Sequence, residues 1–292
     1  MPTLAAPDGT QLVYDAYEPP RPRAAVLLLH GWADHAGRWR EVGERLRDAD
    51  LAAYLLDQRG HGRSGGRPGY LSRFSQLLGD LQAFRRAVRL RTEGRQLLLG
   101  LGFGGLVTLR YLETQPSDPI AAAVVCCPWL GPAFKAPAWT RVAGRVLQDL
   151  WPTLSMPLHL DPEQLSRDPA VNKAYSEDPA VYEVISPGAW REIRWAQGAV
   201  VADAQRIESP LLFLLAGEDR VVDAHLGRAF ADGLTGAAEV RWYPEMYHEI
   251  LHDPQRERAV GDILGFVDAQ LDRSYLPECG RAARVYPCRS DS

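Results

Sequence analysis

Cysteine is scarce in this chain. Four in 292 residues are too few for a disulfide scaffold at this length. Cys126 and Cys127 stand side by side at the end of an apolar run, where packing rather than reactivity is expected. A basic excess is also missing: the net charge of −4 gives no electrostatic footprint for nucleic acid. No apolar run approaches the roughly eighteen residues of a membrane helix. The start, Met1-Pro2-Thr3-Leu4-Ala5-Ala6-Pro7-Asp8-Gly9-Thr10, lacks the basic region and long apolar stretch of a signal peptide. A cytoplasmic protein is the expectation. Seven histidines are scattered along the chain; no metal site is expected, and no cofactor. There is no internal repeat and no low-complexity tract.

Short apolar runs alternate with amphipathic stretches. Ala24–Leu29, Ala52–Leu56, Gln96–Leu101, Ala121–Cys126, Leu211–Ala216 and Ala238–Tyr243 read as strands. Several are apolar on both faces, as in a parallel sheet covered by helices on each side. Phe74, Leu77, Leu78, Leu81, Phe84 and Val88 recur at helical spacing, as do Val260, Ile263, Leu264, Val267 and Leu271 after Asp253-Pro254. Strand–helix alternation predicts a doubly wound α/β fold. From Pro128 to about Gln205 the alternation stops, and Trp129, Trp139, Trp151, Trp190, Trp195 and many prolines appear. An insertion of this size is read as a helical cap, residues 128–205, on a core of residues 1–127 and 206–273. Residues 274–292, with Cys279 and Cys288, read as a loose carboxyl-terminal extension.

The most telling absence is a hydroxyl. Gly100-Leu101-Gly102-Phe103-Gly104 closes an apolar run and opens a helical one, which is the G-x-S-x-G frame of a nucleophile elbow. Gly102 stands where the serine belongs. Later in the chain, Gly217-Glu218-Asp219 follows a strand, and Tyr247-His248-Glu249 precedes the last helix. Nucleophile position, acid, histidine is the order of this site class. Asp219 is expected to orient His248, and His248 to act as general base. Leu29-His30-Gly31-Trp32 ends a buried strand in a tight turn. The backbone N–H groups of Trp32 and Phe103 are the expected oxyanion donors, and neither depends on a side chain. Ser64 and the Cys126–Cys127 pair are weak replacement nucleophiles, because neither sits at a strand-to-helix elbow. His30 and His61 read as structural residues that hold loops.

With these residues in view, the chain resembles the monoacylglycerol lipase and lysophospholipase-like branch of the α/β-hydrolases. The resemblance rests on residues 30–38 (His-Gly-Trp-Ala-Asp-His-Ala-Gly-Arg), residues 57–65 (Asp-Gln-Arg-Gly-His-Gly-Arg-Ser-Gly), the elbow, Gly217-Glu218-Asp219 and Tyr247-His248-Glu249. Leu165-Ser166-Arg167-Asp168-Pro169-Ala170-Val171 adds a piece of the insertion. The likeness runs from about Gly9 to Leu271. It implies hydrolysis of single-chain fatty acyl esters, an acyl pocket roofed by the cap, and polar contacts to the alcohol part from Asp34, Arg38 and His252. The partner implied is a small acyl ester or apolar ligand, with no nucleic acid and no membrane span.

Gly102 departs from that pattern and admits three readings: a deliberate Ser→Gly inactivation of an esterase, a natural non-catalytic ligand-binding homologue, or an enzyme in which His248 drives water directly. Losing a triad serine costs about a millionfold in rate, and the oxyanion hole and binding leave roughly a thousandfold over water. The third reading therefore yields a weak enzyme at most. Intact Asp219, His248 and His-Gly turn favour deliberate inactivation or a recent loss.

Overall fold

The structure, a computed structural model, describes residues 1–92, 94–114, 120–133, 147–158, 160–234 and 238–273. The extension at 274–292 lies outside the described residues, as do Trp139 and His159.

Eight strands form one sheet in the order β1-β2-β4-β3-β5-β6-β9-β10. They are β1 Thr3–Ala5, β2 Gln11–Tyr17, β3 Ala24–Leu29, β4 Leu51–Asp57, β5 Gln96–Leu101, β6 Ala122–Cys126, β9 Leu211–Ala216 and β10 Ala238–Tyr243. β1 and β2 pair antiparallel at one edge; from β4 to β10 every pairing is parallel. The six strands expected from apolar runs are all present, with bounds shifted by at most one residue. β1 and β2 were not legible as apolar runs. β2 is buried at Leu12, Val13 and Tyr14 but only partly covered from Asp15 to Tyr17, and pairing with β4 rather than composition makes it a strand.

Two apolar layers sandwich the sheet. In β3, Ala25, Leu27 and Leu29 enter one core cluster while Ala24, Val26 and Leu28 enter the other. That is the two-residue period of a strand with both faces covered. The helices α2 Ser75–Arg89 and α3 Phe103–Thr114 cover the first face through Leu77, Leu81, Phe84, Leu106 and Leu109. α1 Arg40–Asp48 and α7 Arg256–Arg273 cover the second through Val42, Leu46, Ile263, Phe266 and Val267.

Between β6 and β9 the described insertion holds α4 Pro169–Glu177, α5 Pro187–Asp203 and a two-residue antiparallel pair, β7 Met156–Pro157 with β8 Val184–Ile185. No strand was expected there. The pair is too short to leave a pattern in the sequence. Both helices start at prolines behind side-chain caps: Asp168 accepts from Ala170 N, and Ser186 from Ala189 N. A capping oxygen satisfies an orphan N–H, and proline at the first position gives up a donor that the helix leaves unused. Ala189, Ile193, Ala196 and Val200 of α5 join the first core cluster, so the insertion shares its apolar interior with the sheet. α6 Ala224–Asp232 follows β9 behind an Asp223 cap.

Strand order reverses around β3, which has β4 on one side and β5 on the other. Open α/β sheets bind ligands at such a switch, beyond the carboxyl ends of the strands. Leu29 pairs with Gly100, so the His-Gly turn and the elbow emerge level and adjacent.

Candidate active site

The elbow turns on backbone geometry. Gly102 has φ +51°, a conformation that costs a residue with a Cβ and suits glycine. Next to it, a Cβ on Gly104 would meet the Leu29 carbonyl oxygen, so only glycine lets α3 start this close to β3. Gly102 N donates to Cys126 O at 2.9 Å, and Gly104 N to His30 O at 3.1 Å. These bonds tie the elbow to both neighbouring strands.

Asp219, His248 and Gly102 come together here. His248 Nδ1–H donates to Asp219 Oδ2 at 2.8 Å. The other Asp219 oxygen accepts from Val221 N and Val222 N, each at 2.9 Å. His248 Nε2 faces the elbow: a Cβ built on Gly102 would lie 3.1 Å from it. Burial lowers the His248 pKa, but the Asp219 charge and hydrogen bond outweigh burial and leave it raised. Burial likewise raises Asp219, while His248 and the two backbone donors bring it below the ordinary carboxylate value. Each partner favours the charged form of the other.

A mostly apolar cavity opens at this point, enclosing about 890 Å³ with its mouth included. Its sheet side presents Trp32, Gly102, Phe103 and His248; the insertion contributes Leu158, Leu160, Leu165, Tyr175 and Trp190. Among the described residues, no backbone or side-chain acceptor takes the N–H of Trp32 or of Phe103.

A charged cluster stands beside it. Arg38 Nη1 donates to Asp34 Oδ1 at 3.0 Å and Glu249 Oε1 at 2.8 Å, and Nη2 to Glu249 Oε2 at 2.7 Å. His252 Nδ1–H donates to Glu249 Oε2 at 2.7 Å and Nε2–H to Arg38 O at 3.0 Å. Both ring nitrogens thus have an oxygen partner. Burial raises Glu249, but Arg38 and His252 together hold it far below the ordinary carboxylate value. Of the three expected substrate contacts, Asp34 lines the cavity. Arg38 and His252 stand behind that wall, Arg38 over the Tyr175 ring and His252 stacked on Trp39.

The remaining candidates sit elsewhere. Ser64 Oγ donates to Asp57 O and accepts from Val13 N, which makes it a loop anchor. His30 accepts from Gln58 N through Nε2 and donates through Nδ1 to Gly31 O; burial lowers its pKa. Burial brings His61 down to about 4. Both rings hold loops in neutral form. Cys126 and Cys127 are buried free thiols. Cys127, at φ +43°, lies on the Asp219 side, and a Cys127, Asp219 and His248 atom all fall within 4.8 Å of one another. Burial and the Asp219 charge push that thiol well above its ordinary value. The trio could offer three ligand atoms to a metal ion, but Nδ1 and the carboxylate are already committed to each other and to backbone donors.

Three residues here gave no sequence signal for their place. Glu249 is an ordinary loop acid until Arg38, 211 positions earlier, is folded against it. Tyr175 and Cys127 reach the site only through the insertion's path and the end of β6. The Leu165–Val171 motif, in contrast, has a visible task. Leu165 O accepts from Glu249 N, Ser166 Oγ donates to His252 O, and Arg167 pairs with Asp253, which fastens the insertion to the histidine loop.

This sheet order, with its elbow at the switch point, defines an α/β-hydrolase. The family model Hydrolase_4, described as "Serine aminopeptidase, S33", matches residues 20–255. The chain belongs to that family, in the monoacylglycerol lipase-like branch. It is 31% identical over 281 residues to a monoacylglycerol lipase of Mycolicibacterium smegmatis, covering 92% of this chain and 97% of the relative. It is 24% identical over 253 residues to phospholipase YtpA of Bacillus subtilis, covering 86% and 97%. The crystal structure of Paleococcus ferrophilus monoacylglycerol lipase superposes with a TM-score of 0.81 at 29% identity, over 89% of this chain and 99% of that one. No helix among the described residues is long and apolar enough to cross a membrane.

Proposed function

We propose that this site is built for hydrolysis of single-chain fatty acyl esters through an acyl-enzyme, and that Gly102 leaves the chain inert or very slow. The 3.1 Å between a residue-102 Cβ and His248 Nε2 carries the reading. A hydroxyl on that Cβ falls within reach of Nε2. In the proposed reaction of a serine at 102, Oγ attacks the ester carbonyl as His248 takes its proton. The imidazolium is stabilised by Asp219 and gives the proton to the departing alcohol. The Trp32 and Phe103 N–H groups receive the oxyanion. Water then repeats the sequence on the acyl-enzyme. Residues 128–205 act as the lid that walls the acyl pocket and excludes water, and Asp34, backed by Arg38 and His252, receives the alcohol part.

The rival reading is a ligand-binding protein on the same fold, favoured by Gly102 itself. Hydrolysis of a p-nitrophenyl ester by this chain and by Gly102→Ser separates the two. Strong gain of activity in the serine variant supports the hydrolase site; a folded but inert variant overturns it.

A further inference from the structure

Glycine at the elbow changes what the site can hold. A serine at 102 would put its Cβ and hydroxyl into the space that glycine leaves open beside His248. Here the point of a residue-102 Cβ is 3.1 Å from His248 Nε2 and 3.8 Å from Gly31 Cα. An oxygen placed there accepts a hydrogen bond of ordinary length from the ring. Two backbone donors, Trp32 N–H and Phe103 N–H, have no acceptor among the described residues, and Phe103 begins α3, where helix geometry favours an anion. Beyond this polar corner the cavity runs over Trp129, Leu158, Leu160 and Trp190.

From this geometry we infer that the chain binds a free single-chain fatty acid, with the carboxylate between His248 Nε2 and the Trp32 and Phe103 N–H groups and the tail in the apolar cavity. The inference rests on the site assignment made above and on Gly102, not on turnover.

Charge supports it. The charged groups that bear on His248 include Asp219, Glu249 and Asp34. Asp219 holds Nδ1, and the buried Cys127 thiol lies against the same pair. Asp34 and Glu249 approach from the neighbouring wall, but their oxygens are engaged by Arg38, Trp39 and His252. The Asp219 partnership raises the His248 pKa despite burial, so the ring keeps its proton to higher pH than an ordinary imidazole. Carboxylate binding is therefore strong below that pKa and fades as pH rises through it. Ester hydrolysis by a serine variant has the opposite sign, because it needs the neutral ring.

The test is a titration of this chain with decanoic acid and with decan-1-ol at pH 6.5. It is followed by quenching of the tryptophan fluorescence, since Trp32, Trp39, Trp129 and Trp190 line the cavity, and by thermal shift. The acid is expected to bind at least tenfold more tightly than the alcohol, and that ratio to shrink toward one by pH 9. Lengthening the acid gains roughly 3- to 4-fold per methylene until the cavity is full. His248→Gln should bring the acid-to-alcohol ratio near one. Gly102→Ser should weaken acid binding by crowding the carboxylate. Equal affinity for acid and alcohol in the unaltered chain, or a ratio that does not change with pH, overturns the inference. Those measurements need no variant to fold. Hydrolysis by Gly102→Ser separates the two proposals: an inert serine variant beside pH-dependent acid binding removes only the hydrolase reading, and an active one beside an indifferent parent chain removes only this one.

Discussion

The two sides of the site are made differently. On the elbow side, what remains is backbone: a positive φ at Gly102, the start of α3, and the N–H groups of Trp32 and Phe103, which have no acceptor among the described residues. On the histidine side the charged groups are side chains, and each carboxylate is held at least twice. Asp219 has His248 and two backbone donors; Glu249 has Arg38 and His252. One substitution can empty the first side without disturbing its shape, since strands and helix fix it. The second side depends on mutual pairing, so loss of one member leaves the others buried and uncompensated. A glycine at the elbow therefore coexists with a charged half that stays fully assembled.

The largest effect comes from completing the elbow. Gly102→Ser is expected to raise kcat/KM on a medium-chain monoacyl ester by several orders of magnitude, given the roughly millionfold cost of losing such a serine. A folded, inert variant would mean that the intact half does not serve hydrolysis.

Breaking the charged half comes next. Arg38→Ala leaves Asp34 and Glu249 buried without their cation and is expected to cost about 3–5 kcal/mol, read from the urea midpoint. Arg23→Ala, which loses an exposed pair with Asp268, should shift the midpoint far less. Equal shifts would deny the cluster its structural role.

A pH profile sharpens the contrast further. His248 has a raised pKa. The pairing therefore adds stability in full below the ordinary histidine value of 6.5 and loses it as pH rises through the folded-state pKa. Hydrolysis by Gly102→Ser should rise through that same pKa, because the base must be neutral. In Gly102→Ser with Asp219→Asn the inflection should move to lower pH and the plateau should fall. An inflection that stays in place would disconnect Asp219 from the ring.

The smallest effect isolates the backbone. Gly102→Ala adds a Cβ at φ +51°, 3.1 Å from Nε2, and should destabilise by about 1 kcal/mol without creating activity. Thermal unfolding should show a fall of roughly 2–4 °C. No fall would mean that the turn relaxes and that glycine relieves no strain there.

Six sheet strands and the helices Ser75–Arg89 and Arg256–Arg273 could be read from the chain, because buried strands and amphipathic helices write their own periodicity. So could the elbow frame, Asp219 and His248, because each motif is local and the order of the motifs is itself a pattern. β2 could not be read that way, since its partner supplies its burial, and neither could the β7–β8 pair. Sequence by itself determined the doubly wound architecture and put glycine at 102: hydrophobic period and residue identity are local properties. Tertiary structure decided what surrounds Gly102. The pairing of Arg38 with Glu249, the place of Cys127 beside Asp219, and the 3.1 Å approach of His248 to the elbow all join residues far apart in the chain. Such contacts arise only when the parallel sheet brings the ends of β3, β5, β6 and β9 to one edge and the insertion closes over them.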